Sequence, residues 1–220
     1  MNGKTHLTIG AVIGGIYGLV HAPAGELDTI LFFAGIGGFS GLAADLDGPS
    51  VLTRKLTKVS RILHTSLIVV GLSSLLLLGW LTYTQASFRP DWLLAAFAAS
   101  IVATLLGLLV SRGFWRNALV SLVGIMLAVY GFDQGWYWLI GLGAFVIIAP
   151  WLSHRGLTHT IWIVPIWGWI GFGLEQQLGI DGIGIASMLT YLSHIVADMF
   201  TPAGVKVLYP ITKKKFKLKL

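Results

Sequence analysis

The stretch ILHTSLIVVGLSSLLLLGWLTYT, residues Ile62–Thr84, decides the fold class of this chain. It contains no Asp, Glu, Lys or Arg. A helix needs about 20 mainly apolar residues to cross the hydrocarbon core of a bilayer. Because lipid offers no hydrogen-bond partners to the backbone, such a run must satisfy its own backbone groups, and it predicts a membrane-spanning helix.

The rest of the chain has the same apolar character. Hydrophobic residues make up 55% of the 220 residues and charged residues 11%, and the mean hydropathy is +0.81. A soluble globular domain carries about 25% charged residues, so this composition indicates an integral membrane protein. The absence of cysteine excludes disulfides and thiolate catalysis.

Further apolar segments lie on both sides of the central run. Five are clear: Trp92–Val110, Ala118–Phe132, Trp136–Leu152, Ile161–Leu174 and Ile183–Phe200. Two weaker, glycine-rich segments, Leu7–Val20 and Thr29–Ala44, precede it and could be tilted, re-entrant or buried. We therefore expect an all-α fold, a polytopic transmembrane helix bundle of about eight helices (six to eight). Residues 1–205 are expected to form one transmembrane domain, followed by a basic cytoplasmic tail over residues 206–220.

Small residues repeat at three- and four-residue spacing in the two weaker segments. They are Gly10, Gly14, Gly15 and Gly18 in the first, and Gly35, Gly37, Gly38 and Gly41 in the second. Such stripes let helices pack closely in lipid. No glycine of the two stripes follows a predicted strand, so we prefer helix packing to a phosphate-binding loop.

Positive charge predicts which side each loop occupies. Basic residues recur in alternate loops: Arg54, Lys55, Lys58 and Arg61, then Arg112 and Arg116, then Arg155, and finally the lysine-rich tail from Lys206 to Lys219. The other loops are acidic or nearly neutral, with Glu26, Asp28, Arg89, Asp91, Asp133, Glu175 and Asp181. Both termini are therefore expected in the cytoplasm. We expect the tail to contact anionic lipids, and we expect no nucleic-acid partner.

Most of the remaining polar residues fall on that same predicted side. A buried charge or unpaired polar group is costly in a membrane segment, so such residues mark functional sites. They are His6, Asp45, Asp47, His154, Arg155, His159, His194 and Asp198, and we predict that they form one site. His21 falls at the opposite end of the first helix and is interpreted as an interfacial residue, whereas His64 stays an alternative member.

Two of these groups have informative spacing. His194 and Asp198 are four residues apart and share a helical face, as two ligands of one cation or as a structural hydrogen-bonded pair. Asp45-Leu46-Asp47 is followed by Gly48-Pro49, which ends a helix. Both carboxylates could turn inward there, or the segment could be a solvated helix end.

The segment His154-Arg155-Gly156-Leu157-Thr158-His159-Thr160 places two imidazoles on either side of a turn. Gly156 permits a tight turn, and Thr158 is expected to cap the next helix. Arg155 suits a phosphate oxygen or a salt bridge with Asp198. The alternative is a topology-setting arginine with interfacial histidines. Imidazoles with carboxylates suit Zn²⁺, Mn²⁺ or Fe²⁺, whereas Mg²⁺ favours oxygen ligands alone.

Together these motifs resemble the YdjM-like family of bacterial inner-membrane proteins, described as membrane-bound metal-dependent hydrolases. The family pattern has an N-terminal Thr-His, a Pro-Asp-x-Asp-His element, a His-Arg-Gly-x-Thr-His-Ser element and a late His-x-x-x-Asp followed by Thr, Gly and Pro. The matching residues here are Thr5-His6, Asp45-Leu46-Asp47, the His154–Thr160 segment, and His194 with Asp198, Thr201, Gly204 and Pro210.

This chain departs from the pattern at three positions. Ala44 stands in place of Pro, Gly48 in place of the His after the second Asp, and Thr160 in place of Ser. The change at Gly48 removes one candidate ligand, for which His64 is a hypothetical substitute. The family is distantly similar to zinc-dependent phospholipase C and P1 nuclease, which implies phosphoester cleavage at a zinc site.

Three functions are compatible with these residues. In the first, a divalent cation, Zn²⁺ before Mn²⁺ or Fe²⁺, is held by some of His6, Asp45, Asp47, His154, His159, His194 and Asp198. An Asp such as Asp45 or Asp198 would then act as base or orient a ligand, and Arg155 would stabilise negative charge. A site at the cytoplasmic membrane face favours a lipid or lipid-linked substrate. The alternatives are transport of a proton or metal ion, and a non-catalytic membrane scaffold.

Overall fold

The computed structural model describes residues 1–21, 26–85 and 90–218. Arg89 and Lys219, used above to predict sidedness and the tail, lie outside them. The described residues contain eight α-helices and no β-strand, which confirms the all-α helix bundle. The helices are α1 (Gly3–His21), α2 (Leu27–Ala43), α3 (Arg54–Thr84), α4 (Leu93–Leu109), α5 (Arg112–Gln134), α6 (Tyr137–Ile148), α7 (Ile163–Leu178) and α8 (Ile183–Met199).

The predicted helices agree with the observed ones except at their ends. Helix α3 begins at Arg54 rather than Ile62, and α5 begins at Arg112 rather than Ala118. An apolar window detects only the part of a helix that matches the hydrocarbon core. The helix itself continues through charged residues such as Lys55 and Lys58, which are good helix formers.

Helices α2 and α6 each end in a short 3₁₀ turn. The turn after α2 contains residues of the candidate site, and the turn after α6 comes just before residues of that site. Helix α2 passes directly into a 3₁₀ turn over Ala44–Asp47. Helix α6 ends at Ile148 and is followed by a turn over Ala149–Trp151, which contains Pro150. Proline cannot donate the backbone hydrogen bond that would continue a helix, so the chain leaves α6 there.

Within the described residues, three segments are long and apolar enough to cross a membrane, as judged from length and composition: Leu27–Asp47, Arg54–Thr84 and Arg112–Gln134. The segments Leu93–Leu109, Tyr137–Trp151 and Ile183–Met199 are apolar but shorter. Many large apolar side chains are exposed, among them Leu94 at 83% and Phe132 at 81%. This apolar outer surface suits lipid as the surrounding solvent.

The chain divides into two compact units, Met1–Arg54 with Val120–Leu220, and Lys55–Leu119. In the smaller unit α3 and α4 approach closely, because a Cβ on Gly71 would overlap the Thr104 side chain. The larger unit has an apolar core around Trp167, Tyr191 and Ile195. It also buries polar side chains, including His6, His159, His194 and Asp198, so a polar cluster lies inside this unit besides its apolar core.

The glycine stripes bring α1 and α2 into backbone contact. A Cβ on Gly10 would overlap the carbonyl oxygen of Gly37, and a Cβ on Gly14 would overlap that of Phe33. This is the close helix packing that the stripes predict. It also sets His6 beside the end of α2, because the backbone of His6 lies against Gly41.

Candidate metal centre

The seven predicted metal ligands come together in the larger unit. They lie at the start of α1, in the turn after α2, in the α6–α7 connection and near the end of α8, so four separate pieces of chain meet at one end of these helices. The residues are His6, Asp45, Asp47, His154, His159, His194 and Asp198. That they bind a metal stays a prediction.

His6 and His194 join α1 to α8 at the centre of the cluster. Their rings stack with centroids 3.8 Å apart. His6 Nε2 lies 3.3 Å from Asp198 Oδ1, and its Nδ1 is buried with no hydrogen-bond partner among the described residues. An unsatisfied buried nitrogen costs about 1–3 kcal/mol, which a ligand at this position would offset.

His194 has a defined tautomer. Its Nδ1 lies 2.6 Å from the carbonyl oxygen of Gly41 and must donate to it, because a carbonyl only accepts. The Nε2 atom of a neutral His194 then carries a lone pair directed into the cluster. Such backbone anchoring of the second nitrogen is typical of histidines that ligate metals.

His159 is oriented through a hydroxyl relay. Thr158 Oγ1 donates to Asp47 Oδ2 at 2.7 Å and accepts from His159 Nδ1 at 2.9 Å. The buried Tyr191 hydroxyl donates to the carbonyl oxygen of Thr158 at 2.6 Å and fixes the same turn. The relay leaves Nε2 of His159 facing the cluster.

The two Nε2 atoms of His159 and His194 lie 3.2 Å apart. Asp45 Oδ1 lies 3.7 Å from the first and 3.6 Å from the second. Two nitrogen lone pairs cannot face each other at this distance without a proton or a cation to attract both. Two nitrogen ligands of a tetrahedral zinc lie about 3.3 Å apart, given bonds of about 2.0–2.1 Å, so this donor set fits a divalent cation.

The donor atoms form three overlapping groups of candidate ligands. They are His6 with His194 and Asp198, Asp45 with His159 and His194, and Asp45 with Asp47 and His154. His194 is common to the first two groups, and Asp45 to the last two. The arrangement therefore has donors for more than one cation.

Asp47 holds the α6–α7 connection in place. Its side chain is fully buried and accepts hydrogen bonds from His154 Nδ1 at 2.7 Å, from the backbone N–H of Arg155 at 3.0 Å and from Thr158. Arg155 adopts a left-handed backbone conformation with φ +57°. Bonds to a buried carboxylate stabilise this turn, so Asp47 has a positioning role whether or not it ligates a metal.

Arg155 pairs with Asp198, which is one of the two roles predicted for it. Its Nη2 lies 3.0 Å from Asp198 Oδ2, and its Nη1 donates to Thr201 Oγ1 at 3.0 Å. The amino group of Met1 lies 2.9 Å from the other oxygen of Asp198. Positive groups therefore surround this carboxylate.

The two histidines of the α6–α7 connection are more basic than an isolated imidazole. A hydrogen bond with Asp47 raises the pKa of His154. Burial lowers the pKa of His159, but the nearby carboxylates of Asp45 and Asp47 outweigh burial and raise this pKa to about 9. Without a cation, His159 is therefore protonated at neutral pH and donates from Nε2 to His194.

The two remaining histidines have other surroundings. His64 lies on α3 in the smaller unit and belongs to none of the three ligand groups found among the described residues. Its role as a substitute ligand stays a hypothesis. His21 is exposed at the far end of α1, where its ring stacks on Tyr17.

Sequence reasoning missed part of the support around the site. Thr158 does not cap α7, whose N-cap is Trp162, because its hydroxyl is used between Asp47 and His159. Gly156 has a negative φ, and its lack of a side chain is needed because a Cβ would overlap the Ser153 side chain. Tyr191 was overlooked, although its position three residues before His194 on one helical face signals the same site.

Comparisons with known proteins identify a family for this chain. A family model described as "YdjM inner membrane protein" matches residues 1–220. Proteins named "Inner membrane protein YdjM" from Escherichia coli (strain K12) and Shigella flexneri are each 40% identical over 65 residues, 29% of this chain and 33% of the relative. The chain thus aligns with about a third of the length of these relatives. No solved structure matches it.

Proposed function

This chain belongs to the YdjM family of inner membrane proteins, and on that premise we propose that it is a metal-dependent hydrolase of a lipid or lipid-linked phosphoester. The cation is Zn²⁺ by preference, with Mn²⁺ or Fe²⁺ as alternatives, because the donors combine imidazole with carboxylate. The site acts at the cytoplasmic membrane face, where the basic loops and tail contact anionic lipids.

One observation carries the proposal. Two buried imidazoles, His159 and His194, are each fixed at Nδ1 and direct Nε2 at the same point, with Asp45 beside both. A His–Asp network that only stabilised the fold would pair its imidazoles with carboxylates, whereas here two imidazole nitrogens face each other at 3.2 Å across a proton that a cation would displace. The unpartnered Nδ1 of His6 in the adjoining ligand group supports the same interpretation.

The chemistry divides between the cation and the protein. When bound, a divalent cation supplies Lewis acidity that polarises a phosphoryl oxygen and makes a water molecule more acidic. His194 would hold it, together with His6 and Asp198 in one ligand group or with His159 in the other. Asp45 is the candidate general base, because it is half-buried and touches two imidazoles without the three hydrogen bonds that occupy Asp47.

Arg155 is placed to stabilise negative charge that develops on the substrate. Asp198 and Thr201 hold its guanidinium in one orientation, so little reorganisation is needed when the substrate binds. Asp198 thereby connects the arginine to the ligand group of His6 and His194. A conservative change to lysine would lose this forked geometry.

The position of the cluster favours a membrane substrate. Its residues come from helix ends and from the α6–α7 connection rather than from helix centres. Helix ends lie at the depth of the lipid headgroups, where a phosphoester of a lipid or lipid-linked molecule is found. A transporter would instead place such groups near the bilayer midplane.

The test combines metal analysis with phosphate release. The parent protein and the His194→Ala and His21→Ala variants are purified without chelator, and bound Zn, Mn and Fe are measured by mass spectrometry. Release of phosphate or of the headgroup from phospholipids and lipid-linked phosphates is then followed with Zn²⁺, Mn²⁺ or Fe²⁺ added. We expect metal and activity in the parent and in His21→Ala, and neither in His194→Ala.

The other outcomes separate the alternatives. Metal that His194→Ala loses, with no phosphoester cleaved by the parent but with cation flux into liposomes, would identify a transporter. A parent protein that retains no metal and cleaves no phosphoester, together with a His194→Ala variant that unfolds more readily than the parent, would identify a scaffold. Either result would overturn the hydrolase proposal.

A further inference from the structure

A basic cavity adjoins the candidate metal centre. Its volume is about 140 Å³, and its lining residues are His154, Arg155, Ala203, Gly204, Lys206 and Lys215. Arg155 and the two lysines carry positive charge, and none of these lining residues is acidic. His154 and Arg155 also belong to the predicted site, so the cavity and the metal centre share one wall.

The tail forms the other wall because it folds back on the protein. Gly204 has φ +63°, and the backbones of Val205 and Phe216 pair in both directions at 3.1 and 2.8 Å. The N–H of Leu218 also donates to the carbonyl of Met199 at 2.9 Å. Lys206 and Lys215, each next to one member of the Val205–Phe216 pair, thereby reach the same cavity.

The arginine side of the cavity is held rigidly. The backbone of Arg155 is bound to Asp47, and its guanidinium is bound to Asp198 and Thr201. A guanidinium has five N–H donors, and these two side-chain bonds occupy only part of that capacity. The Arg155 side chain is still 20% exposed, so an anion in the cavity can reach it.

We propose that this cavity binds the phosphate group of the substrate, with Arg155, Lys206 and Lys215 as its cationic contacts. Arginine and lysine together are the side chains that bind phosphate oxygens, arginine as a fork and lysine as a point charge. This inference deepens the proposed function and, as a substrate subsite, rests on it. The cavity restricts the class of substrate to molecules that place an anionic phosphate ester beside His154.

The experiment uses the full chain in phosphatidylcholine nanodiscs after removal of metal with chelator, so that binding is measured without turnover. Inorganic phosphate is titrated by calorimetry, and in a second arm the retention of phosphatidic acid is measured by native mass spectrometry. The variants are Lys206→Gln, Lys215→Gln and, as a matched control, Lys213→Gln, an exposed tail lysine that is not among the cavity-lining residues. Lys215→Arg tests whether charge alone is sufficient.

We expect Lys206→Gln and Lys215→Gln each to weaken binding by about tenfold, since a hydrogen bond to a charged group is worth that much or more. The phosphate affinity of Lys213→Gln should equal that of the parent, and the affinity of Lys215→Arg should be close to it. Both should hold in about 0.15 M salt, where diffuse surface attraction is screened. Phosphate binding in the first arm identifies a site for the free anion, and retention in the second arm alone identifies a lipid headgroup site. Both outcomes support the cavity.

Equal losses in Lys213→Gln and Lys215→Gln would show general attraction by the tail and overturn the proposal, as would the absence of binding in both arms. Circular dichroism and thermal unfolding of each variant identify any that fail to fold. Lys206→Gln and Lys215→Gln then serve as independent tests on the two sides of the Val205–Phe216 pair. Because the protein is metal-free, loss of phosphate binding is distinguishable from failure of the metal-dependent hydrolase.

Discussion

The Nε2 atoms of His159 and His194 lie 3.2 Å apart in the interior of the protein, and each imidazole is fixed from its other nitrogen. His159 is held by the Thr158 hydroxyl and His194 by the carbonyl of Gly41. The two anchors come from different parts of the chain, so the approach of these nitrogens is a product of the fold. Because both Nε2 atoms point at each other, this pair is the feature of the site that most strongly favours a bound cation.

Replacing His159 with glutamine should abolish tight binding of Zn²⁺. The change removes a ligand nitrogen. Mutating a residue that only hydrogen-bonds to a ligand costs about 10–100-fold in metal affinity, so we expect the loss of the ligand itself to cost more than about 100-fold. Competition with a chelating dye measures the affinity. His21→Gln, at the exposed far end of α1, is the matched control, and equal losses in both variants would contradict a site at His159.

Metal affinity should rise with pH below about pH 9. The raised pKa of His159 means that the metal-free protein holds a proton on Nε2 at neutral pH, and a cation must displace it. Between pH 6 and 8 the apparent affinity for Zn²⁺ should therefore increase by about tenfold per pH unit for each proton displaced. Calorimetry in buffers of different ionisation enthalpy counts the released protons. A pH-independent affinity would show that no such proton is displaced.

Thr158→Val tests the hydroxyl relay. Valine keeps the shape of threonine but leaves the His159 Nδ1 donor and one acceptor site of Asp47 without their partner. We expect a loss of about 1–3 kcal/mol in the free energy of unfolding and of about 10–100-fold in metal affinity.

The control is Thr8→Val, because the Thr8 hydroxyl donates to the Lys4 carbonyl on an exposed helix surface and has no other partner in the described part of the chain. It should change stability by no more than about 0.5 kcal/mol. Unfolding by denaturing detergent measures both variants. If Thr158→Val were as mild as Thr8→Val, the relay would not orient His159.

Gly10→Ala tests the contact between α1 and α2. The added Cβ would overlap the carbonyl oxygen of Gly37 and force the helices apart, which we expect to cost about 1–3 kcal/mol in the free energy of unfolding. It should also weaken metal binding, because His6 lies on the same helix. Gly35→Ala on α2 is the matched control, since outside its own stretch of helix its Cβ would meet no described atom within 4 Å.

Alanine is the better helix former by up to about 1 kcal/mol, so Gly35→Ala should be neutral or stabilising. The two variants are compared by thermal unfolding in one detergent. Equal effects at Gly10 and Gly35 would mean that helix propensity, rather than packing, explains the glycines.

The helices could be predicted from the sequence because lipid imposes a single solution on an apolar run. Ile62–Thr84 has to be helical, whatever its neighbours are, since its backbone groups must bond within the segment. The helix ends were less predictable. The first turns of α3, from Arg54 to Arg61, carry charged residues outside the apolar run, and there hydropathy does not distinguish helix from loop.

The membership of the candidate site also followed from the sequence. Polar side chains such as His194 and Asp198 stand out in an apolar chain, because each would be costly there without a purpose. The basic loops predict which loops and termini lie on the cytoplasmic side, and this stays a prediction. The sequence contained the identity of the donors but no distances between them.

Only the tertiary structure decided how those donors are arranged. The stacking of His6 on His194, the relay from His159 through Thr158 to Asp47, and the return of the tail to Arg155 all join residues far apart in the chain. Local spacing cannot encode such contacts, because they depend on how closely glycine-lined helices approach. The sequence by itself determined a membrane helix bundle with buried histidines and aspartates, and the packing of its helices determined that these converge on one centre.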